Sequence, residues 1–204
     1  MIYFSADLHL WHRNILRLCD RPFPTIEDHN IAMIRNHNSV IGENDTSYLL
    51  GDIAFRCTAE QCADCLYQMN GKKHILLGNH DKPLRQAYKK GLLDKSIKNK
   101  RLTIIGGEDA IYDSSLAIAQ MITVNNQKIF ISHYALRTWP SAFRKSWHLF
   151  GHSHSNLAPL YKSFDVGVDG ESKTHKRFHP WSWDEVKLRM DMVDVSFTEA
   201  TSDI

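Results

Sequence analysis

The sequence predicts an α/β layered domain that gathers metal-ligating side chains past the ends of its strands. Two observations carry this. Short runs rich in apolar, β-branched or aromatic residues alternate with amphipathic helical stretches. The same runs lead into Asp7-Leu8-His9, Gly51-Asp52, Gly78-Asn79-His80-Asp81, Ser132-His133 and Gly151-His152-Ser153-His154, with His12 just behind the first. In α/β sheets ligands collect beyond the carboxyl ends of the strands, where all of these residues fall. Such a set is what two divalent cations need.

Taken in order, strands are expected over Ile2 to Ser5, Ser47 to Leu50, His74 to Leu77, Lys128 to Ser132, Trp147 to Phe150 and Phe164 to Val168. Thr25 with Asp28 opens a helix from Ile26 to Val40, and Thr58 opens another from Ala59 to Met69. Pro83 stands at a first helical position ahead of Gly91, and Ser182 with Glu185 forms a capping box before Val186, Leu188 and Met192. Residues 102 to 124 read as further strands, with Asn125-Asn126 turning into the strand that ends at Ser132. On an extended backbone residues i and i+2 share a side, so Asp7 with His9, and His152 with His154, are expected to converge. Gly51, Gly78 and Gly151 precede ligand-bearing turns, where a missing Cβ permits a sharp bend or a close approach.

The chain has 204 residues, 43% of them hydrophobic, and no Pro/Gly/Ser-rich linker divides it, so one domain over 1–195 with a frayed tail over 196–204 is expected. A formal net charge of +2 gives no general grip on nucleic acid or an anionic membrane. Met1 runs straight into Ile2-Tyr3-Phe4 with no signal-type segment, which reads as a complete N-terminus and a cytoplasmic protein. Cys62 and Cys65 satisfy CxxC, yet with Leu66 and Met69 they fall on one apolar helical stripe, so buried reduced thiols are expected rather than a redox pair or a zinc site.

In this order, the segments resemble the calcineurin-like metallophosphoesterase superfamily, whose DxH, GD, GNH(D/E), H and GHxH series reads here as Asp7/His9, Gly51-Asp52, Gly78-Asn79-His80-Asp81, His133 and Gly151-His152/His154. The likeness spans residues 2 to 169 and is nearest to small bacterial and phage members. It implies a four-layer αββα sandwich with mixed β-sheets and a dinuclear metal site at the strand ends. It further implies that Asp7, His9 and His154 hold one metal, Asn79, His133 and His152 the other, with Asp52 bridging. Mixed imidazole, carboxylate and amide ligands suit manganese foremost, or iron, zinc or nickel, better than an all-oxygen magnesium or calcium shell.

The expected activity is phosphoester hydrolysis by in-line attack of a metal-bound hydroxide, with His80 as proton donor to the leaving oxygen. Asp81 either orients His80 or simply starts a helix. His12, Arg13 and Asn14 lie where phosphate donors would be useful, against cap or surface roles for the last two. Phe55 stands where protein serine/threonine phosphatases carry the second Asp of GDxxDR, which disfavours that activity. The basic stretches, Lys173 to Arg177 among them, read as solvated faces with ordinary strand aromatics ahead of a single-strand stacking surface, and only Arg137 to Trp147, interleaving Arg137, Arg144 and Lys145 with Trp139, Phe143 and Trp147, is placed to touch a substrate. The substrate is expected to be a small phosphorylated or nucleotidic molecule, a phosphodiester in slight preference to a monoester. A noncatalytic module on the same fold would be expected to have lost ligands, and none of the motif residues is missing.

Overall fold

Strand β1 (Ile2–Ser5) is buried along nearly its whole length because it runs through the middle of a sheet. A computed structural model describes residues 1–115, 118–170 and 176–193. The first sheet runs β4-β3-β2-β1-β9, built from β2 (Thr46–Leu50), β3 (Lys72–Leu76), β4 (Leu102–Ile104) and β9 (Trp181–Ser182). Its first four strands are parallel, and β9 closes the edge antiparallel to β1. The second sheet runs β5-β6-β7-β8 over Ala119–Val124, Gln127–Ser132, Trp147–Phe150 and Ser163–Asp165. Its β5–β6 hairpin is antiparallel and the other pairings are parallel. Both sheets are therefore mixed. Asn125 and Asn126, with φ of 46° and 67°, supply the left-handed pair that a tight hairpin turn requires.

Alternation along the strands divides the core in two. Leu49 and Ile75 point toward the helices α2 (Ile26–Val40), α3 (Ala59–Gln68) and α4 (Lys82–Lys89), while Phe4, Leu50 and Leu76 face Ile129, Ile131, Leu149 and Phe164 of the second sheet. Both capping boxes form: the Gln61 and Ser182 neighbourhoods satisfy the first turns of α3 and of the last helix, Trp183–Met192. That last helix adds Trp183, Val186 and Met190 to the core between the sheets. On the outer face of the second sheet, His148 packs against Phe130, Phe150 and Trp139. Among the described residues that face is thus covered by the segment around Trp139, not by the second helical layer the family resemblance implies. Of the two readings of residues 137–147, a stacking surface or ordinary packing aromatics, the packing favours the second: Trp139 and Trp147 are buried, Trp147 stacking on Trp183, and only Phe143 of the three is exposed.

Three short helices escape sequence patterning: α1 (Ile15–Leu18), α5 (Asp94–Lys98) and α6 (Gly107–Tyr112). The last interrupts the stretch expected to be strand. Gly106 and Gly107 take φ of 86° and 59° there, and burial of Ala110 and Ile111 holds a turn too short to persist alone. Cys62 and Cys65 are buried on α3 and free, as the apolar stripe predicts. No helix among the described residues is long and apolar enough to cross a membrane. The expected tail over 196–204 and the first part of the basic stretch, residues 173–175, lie outside the described residues.

Two buried histidines make the fold acid-sensitive. Burial pushes both His37 and His148 down to about 4. Between that value and the usual histidine range the unfolded chain binds the extra proton, so stability is complete above about pH 6.5 and is lost as pH falls toward 4. We expect about 2 kcal/mol of loss from each site between pH 7 and pH 4.5, read with chelator present as the difference in the pH dependence of urea unfolding between the parent and His37→Gln or His148→Gln. A pH dependence that is the same in the parent and in both variants would contradict the neutral, buried assignment.

Candidate metal centre

Every ligand-type segment leaves the carboxyl end of a strand: Asp7 and His9 follow β1, Asp52 follows β2, Asn79 and His80 follow β3, His133 follows β6, and His152 and His154 follow β7. The loops extend the sheet hydrogen bonding beyond the strands. The Asp7 and His9 N–H groups donate to Gly51 O and Asp52 O, Gly151 N–H donates to His133 O, and an isolated bridge pairs Ala6 with Gly167. That bridge ties the two sheets together beneath the ligands.

The backbone at the ligands is left-handed, not extended. Asp7, His9, Asp52, His152 and His154 have φ of 58°, 51°, 55°, 67° and 47°. Such conformations are costly for non-glycine residues and persist where surrounding structure imposes them. The i, i+2 argument from strand geometry is therefore corrected. Asp7 and His9 do converge, through a turn, and His154 joins them, whereas His152 separates to join Asp52 and His133. Glycine permits this crowding: a Cβ on Gly51, at φ 95°, would lie 2.4 Å from His133 Nδ1, and one on Gly78 would lie 2.2 Å from Asp52 Oδ1.

Two groups result, Asp7/His9/His154 and Asp52/His133/His152, each with ligand atoms within 4.8 Å of one another. Asp52 Oδ2 lies 3.5 Å from His9 Nε2 and 3.5 Å from His133 Nε2, so one carboxylate oxygen faces both groups. Its other oxygen accepts the His80 N–H at 2.9 Å. Asn79 Oδ1 stands 3.0 Å from His133 Nε2 and belongs with the second group. Asp7 Oδ1 and His9 Nε2 are buried without any hydrogen-bond partner, which is costly unless something electropositive meets them.

The electrostatics point the same way. Burial, then the charge of Asp165, pushes Asp7 up to about 8. Burial works against protonating His133 and His154, but the hydrogen bond and charge of Asp52 raise the first to about 9, and Asp169, Cys19 and Asp7 raise the second to about 11. Burial keeps His9 neutral, the form that offers a lone pair. A buried carboxyl, Asp7, and two imidazoles that draw protons this strongly stand where positive charge is wanted, and these groups could hold a metal ion.

Side chains that sequence reasoning did not single out hold the ligands in place. Arg21 is fully buried and forks onto Asp169 at 3.0 and 2.8 Å while donating to the carbonyls of Asp7 and Leu8. Asp169 in turn accepts from His154 Nδ1 at 2.7 Å, turning the other ring nitrogen toward the group. Asp165 accepts from Gly167 and Ser155 N–H and orders the loop carrying His152 and His154. The sequence offers only one signal for these, acidic residues spaced about the strand β8, and none for Arg21.

Asp81 starts α4 as its N-cap residue, but its side chain makes no capping hydrogen bond there and none to His80. It is fully buried, and its oxygens accept N–H groups from Gly78, Asp52 and Ile53 at 2.8, 2.8 and 2.7 Å, with Ala54 at 3.3 Å. It thereby clamps the loop of Asp52 to the loop of Asn79. Asp81→Ala strands several buried donors and should cost roughly 4 kcal/mol, seen as a lower midpoint in denaturant unfolding. Loss below about 1 kcal/mol would mean the loops are held otherwise.

The expected substrate contacts separate. His12 is buried, and its Nδ1 lies 3.1 Å from His9 Nδ1, so it orients a ligand while its ring sits 5.8 Å from that of His80. Arg13 and Asn14 are exposed, Asn14 preceding the helix Ile15–Leu18 without a side-chain cap, and Arg137 is exposed on the segment after His133. Phe55 packs edge-on against His80 at 4.4 Å and His12 at 4.7 Å, forming an apolar wall.

No family model matches the chain. Over 82 residues it is 38% identical to an uncharacterized protein of Methanocaldococcus jannaschii, covering 40% of this chain and 47% of that protein. The Gene 66 proteins of Mycobacterium phages L5 and D29 are each 31% identical, over 83 and 84 residues, covering 40% of this chain and 40% and 41% of theirs. These matches span less than half the length of the curated relatives. A phosphopantetheinyl hydrolase from Mycobacterium tuberculosis aligns with 63% of this chain and 40% of its own, at 15% identity and a TM-score of 0.30. A protein of unknown function from Aquifex aeolicus aligns over 93% of this chain and 98% of its own, at 20% identity and a TM-score of 0.60, and the two share a fold.

Proposed function

We propose that the chain is a cytoplasmic phosphoesterase of the calcineurin-like kind, dependent on two divalent cations and acting on a small phosphorylated or nucleotidic substrate. The observation that carries the reading is the position of Asp52, whose Oδ2 faces His9 and His133 equally at 3.5 Å. Asp7, His9, His154 and Asp52 would hold one cation, and Asp52, Asn79, His133 and His152 the other, with manganese the best fit to this donor set. Such a pair supplies a nucleophile at neutral pH and neutralises charge on phosphoryl oxygens. The ordered motif series and the orphaned Asp7 and His9 atoms support the same reading.

The chain's own residues do the rest. His80 presents its imidazole at the mouth of the centre and donates a proton to the departing oxygen, while its backbone N–H fixes Asp52. Phe55 and His12 flank that imidazole and limit water on its side. Arg21 and Asp169 hold His154 and the Asp7 turn against the strain of their left-handed backbones.

The test compares bis(4-nitrophenyl) phosphate with 4-nitrophenyl phosphate on manganese-loaded protein, with and without chelator. Release of nitrophenol that stops with chelator is expected, faster from the diester. Faster release from the monoester would make this a phosphomonoesterase. Inactivity on both after verified metal loading would remove the enzyme reading in favour of a noncatalytic module.

A further inference from the structure

The mouth of the metal centre has two unlike sides. His80 stands on one, its ring 5.4 Å from His9 and 4.4 Å from Phe55. On the other, a cleft of about 80 Å3 opens beside Asn79 and His133 and is walled by Tyr134, Arg85, Ser114 and Ser115.

Arg85 comes from α4 and is half-buried. Its guanidinium makes one long hydrogen bond, from Nη1 to Asp113 O at 3.4 Å, and has no carboxylate partner among the described residues. The two acids whose charge reaches it, Asp81 and Asp113, have their carboxylates engaged elsewhere. Asp81 accepts backbone N–H groups, and the Asp113 carboxylate accepts from the N–H and hydroxyl of Ser115 at 2.8 and 2.6 Å. A partly desolvated guanidinium with uncommitted N–H groups is a fork for an oxyanion. The cleft borders His133 while the ring of His80 borders His9, with Asp52 Oδ2 between those two imidazoles, so a group reaching Arg85 belongs to the part of the substrate that stays on phosphorus.

We infer that Arg85 selects phosphodiesters whose retained ester arm ends in a second oxyanion, seated in this cleft against the guanidinium and the Ser114 hydroxyl. The inference rests on the phosphoesterase reading and adds a substrate class to it. A single phosphomonoester has no arm to place there, and a diester with two neutral arms leaves the cation unmet.

Three 4-nitrophenyl phosphodiesters test it, their retained alcohols being 3-hydroxypropanamide, 3-hydroxypropanoate and 3-hydroxypropyl phosphate. On manganese-loaded protein either anionic arm should raise kcat/KM over the amide by about tenfold, through KM, as a charge-assisted contact worth little more than one decade predicts. Whichever anion gains more identifies the class. In Arg85→Gln the anion-to-amide ratio should fall toward one, and Arg85→Lys should restore part of it. An equal ratio in the parent and Arg85→Gln, or no anionic preference in the parent, overturns the inference while hydrolysis of all three diesters leaves the phosphoesterase reading standing. Failure to hydrolyse any of them after verified metal loading overturns both.

Discussion

Asp52→Asn should deprive the protein of both cations together. The substitution is nearly isosteric, and the new carbonyl oxygen can still accept the His80 N–H that Asp52 Oδ1 accepts at 2.9 Å. What changes is the atom facing His9 and His133: an anionic oxygen 3.5 Å from each Nε2 becomes either a neutral oxygen or an amide donor. An anionic oxygen can be shared between two cations, and neither an amide oxygen nor an amide N–H replaces it. The loss of affinity should therefore exceed the roughly 10–100-fold that removal of an outer hydrogen-bond partner costs. Metal analysis after dialysis should show neither site filled, and diester turnover should fall to the level of the chelated parent. Manganese at about 100 times its dissociation constant should stabilise the parent by about 2.7 kcal/mol or more and Asp52→Asn by much less. A variant that keeps both ions and its turnover would mean that the two side-chain groups are not one centre.

What the sequence disclosed and what it hid divide along a physical line. Local signals were legible: the Thr58/Gln61 and Ser182/Glu185 boxes fix helix starts through contacts three residues apart, and Ile26–Val40 was readable to both ends. The ligand candidates were legible because each ends a hydrophobic strand with side chains that have little reason to be there. The turns beneath them were not. Extended geometry suggested that His152 and His154 converge, but left-handed backbone at both sends them to different groups. Such conformations are imposed by tertiary contacts, as where the His152 N–H donates to Asp7 across 145 residues. Arg21 shows the same limit: its partner Asp169 is 148 residues away, and no pattern near Arg21 announces that a guanidinium will be fully buried there. The helix Gly107–Tyr112 was hidden because its support comes from burial against α4 and β4 and not from its own propensity.

His80→Ala should separate catalysis from metal binding. The bond that ties this residue to Asp52 runs through its backbone N–H, which alanine retains, and its imidazole belongs to neither ligand group. Metal content should accordingly match the parent. Turnover should not: loss of a positioned proton donor costs about 10²–10⁴-fold. The penalty should also depend on the leaving group. A 4-nitrophenolate departs without help, so its diester should lose least, whereas an alkyl alkoxide needs the proton and should lose most. That graded loss is the signature of proton donation. A loss equal for both leaving groups would assign His80 to holding charge on the phosphoryl group instead. Loss of bound metal in His80→Ala would make it a structural support of the centre, and the apolar wall of Phe55 at 4.4 Å would then be packing for that support rather than shelter for a proton.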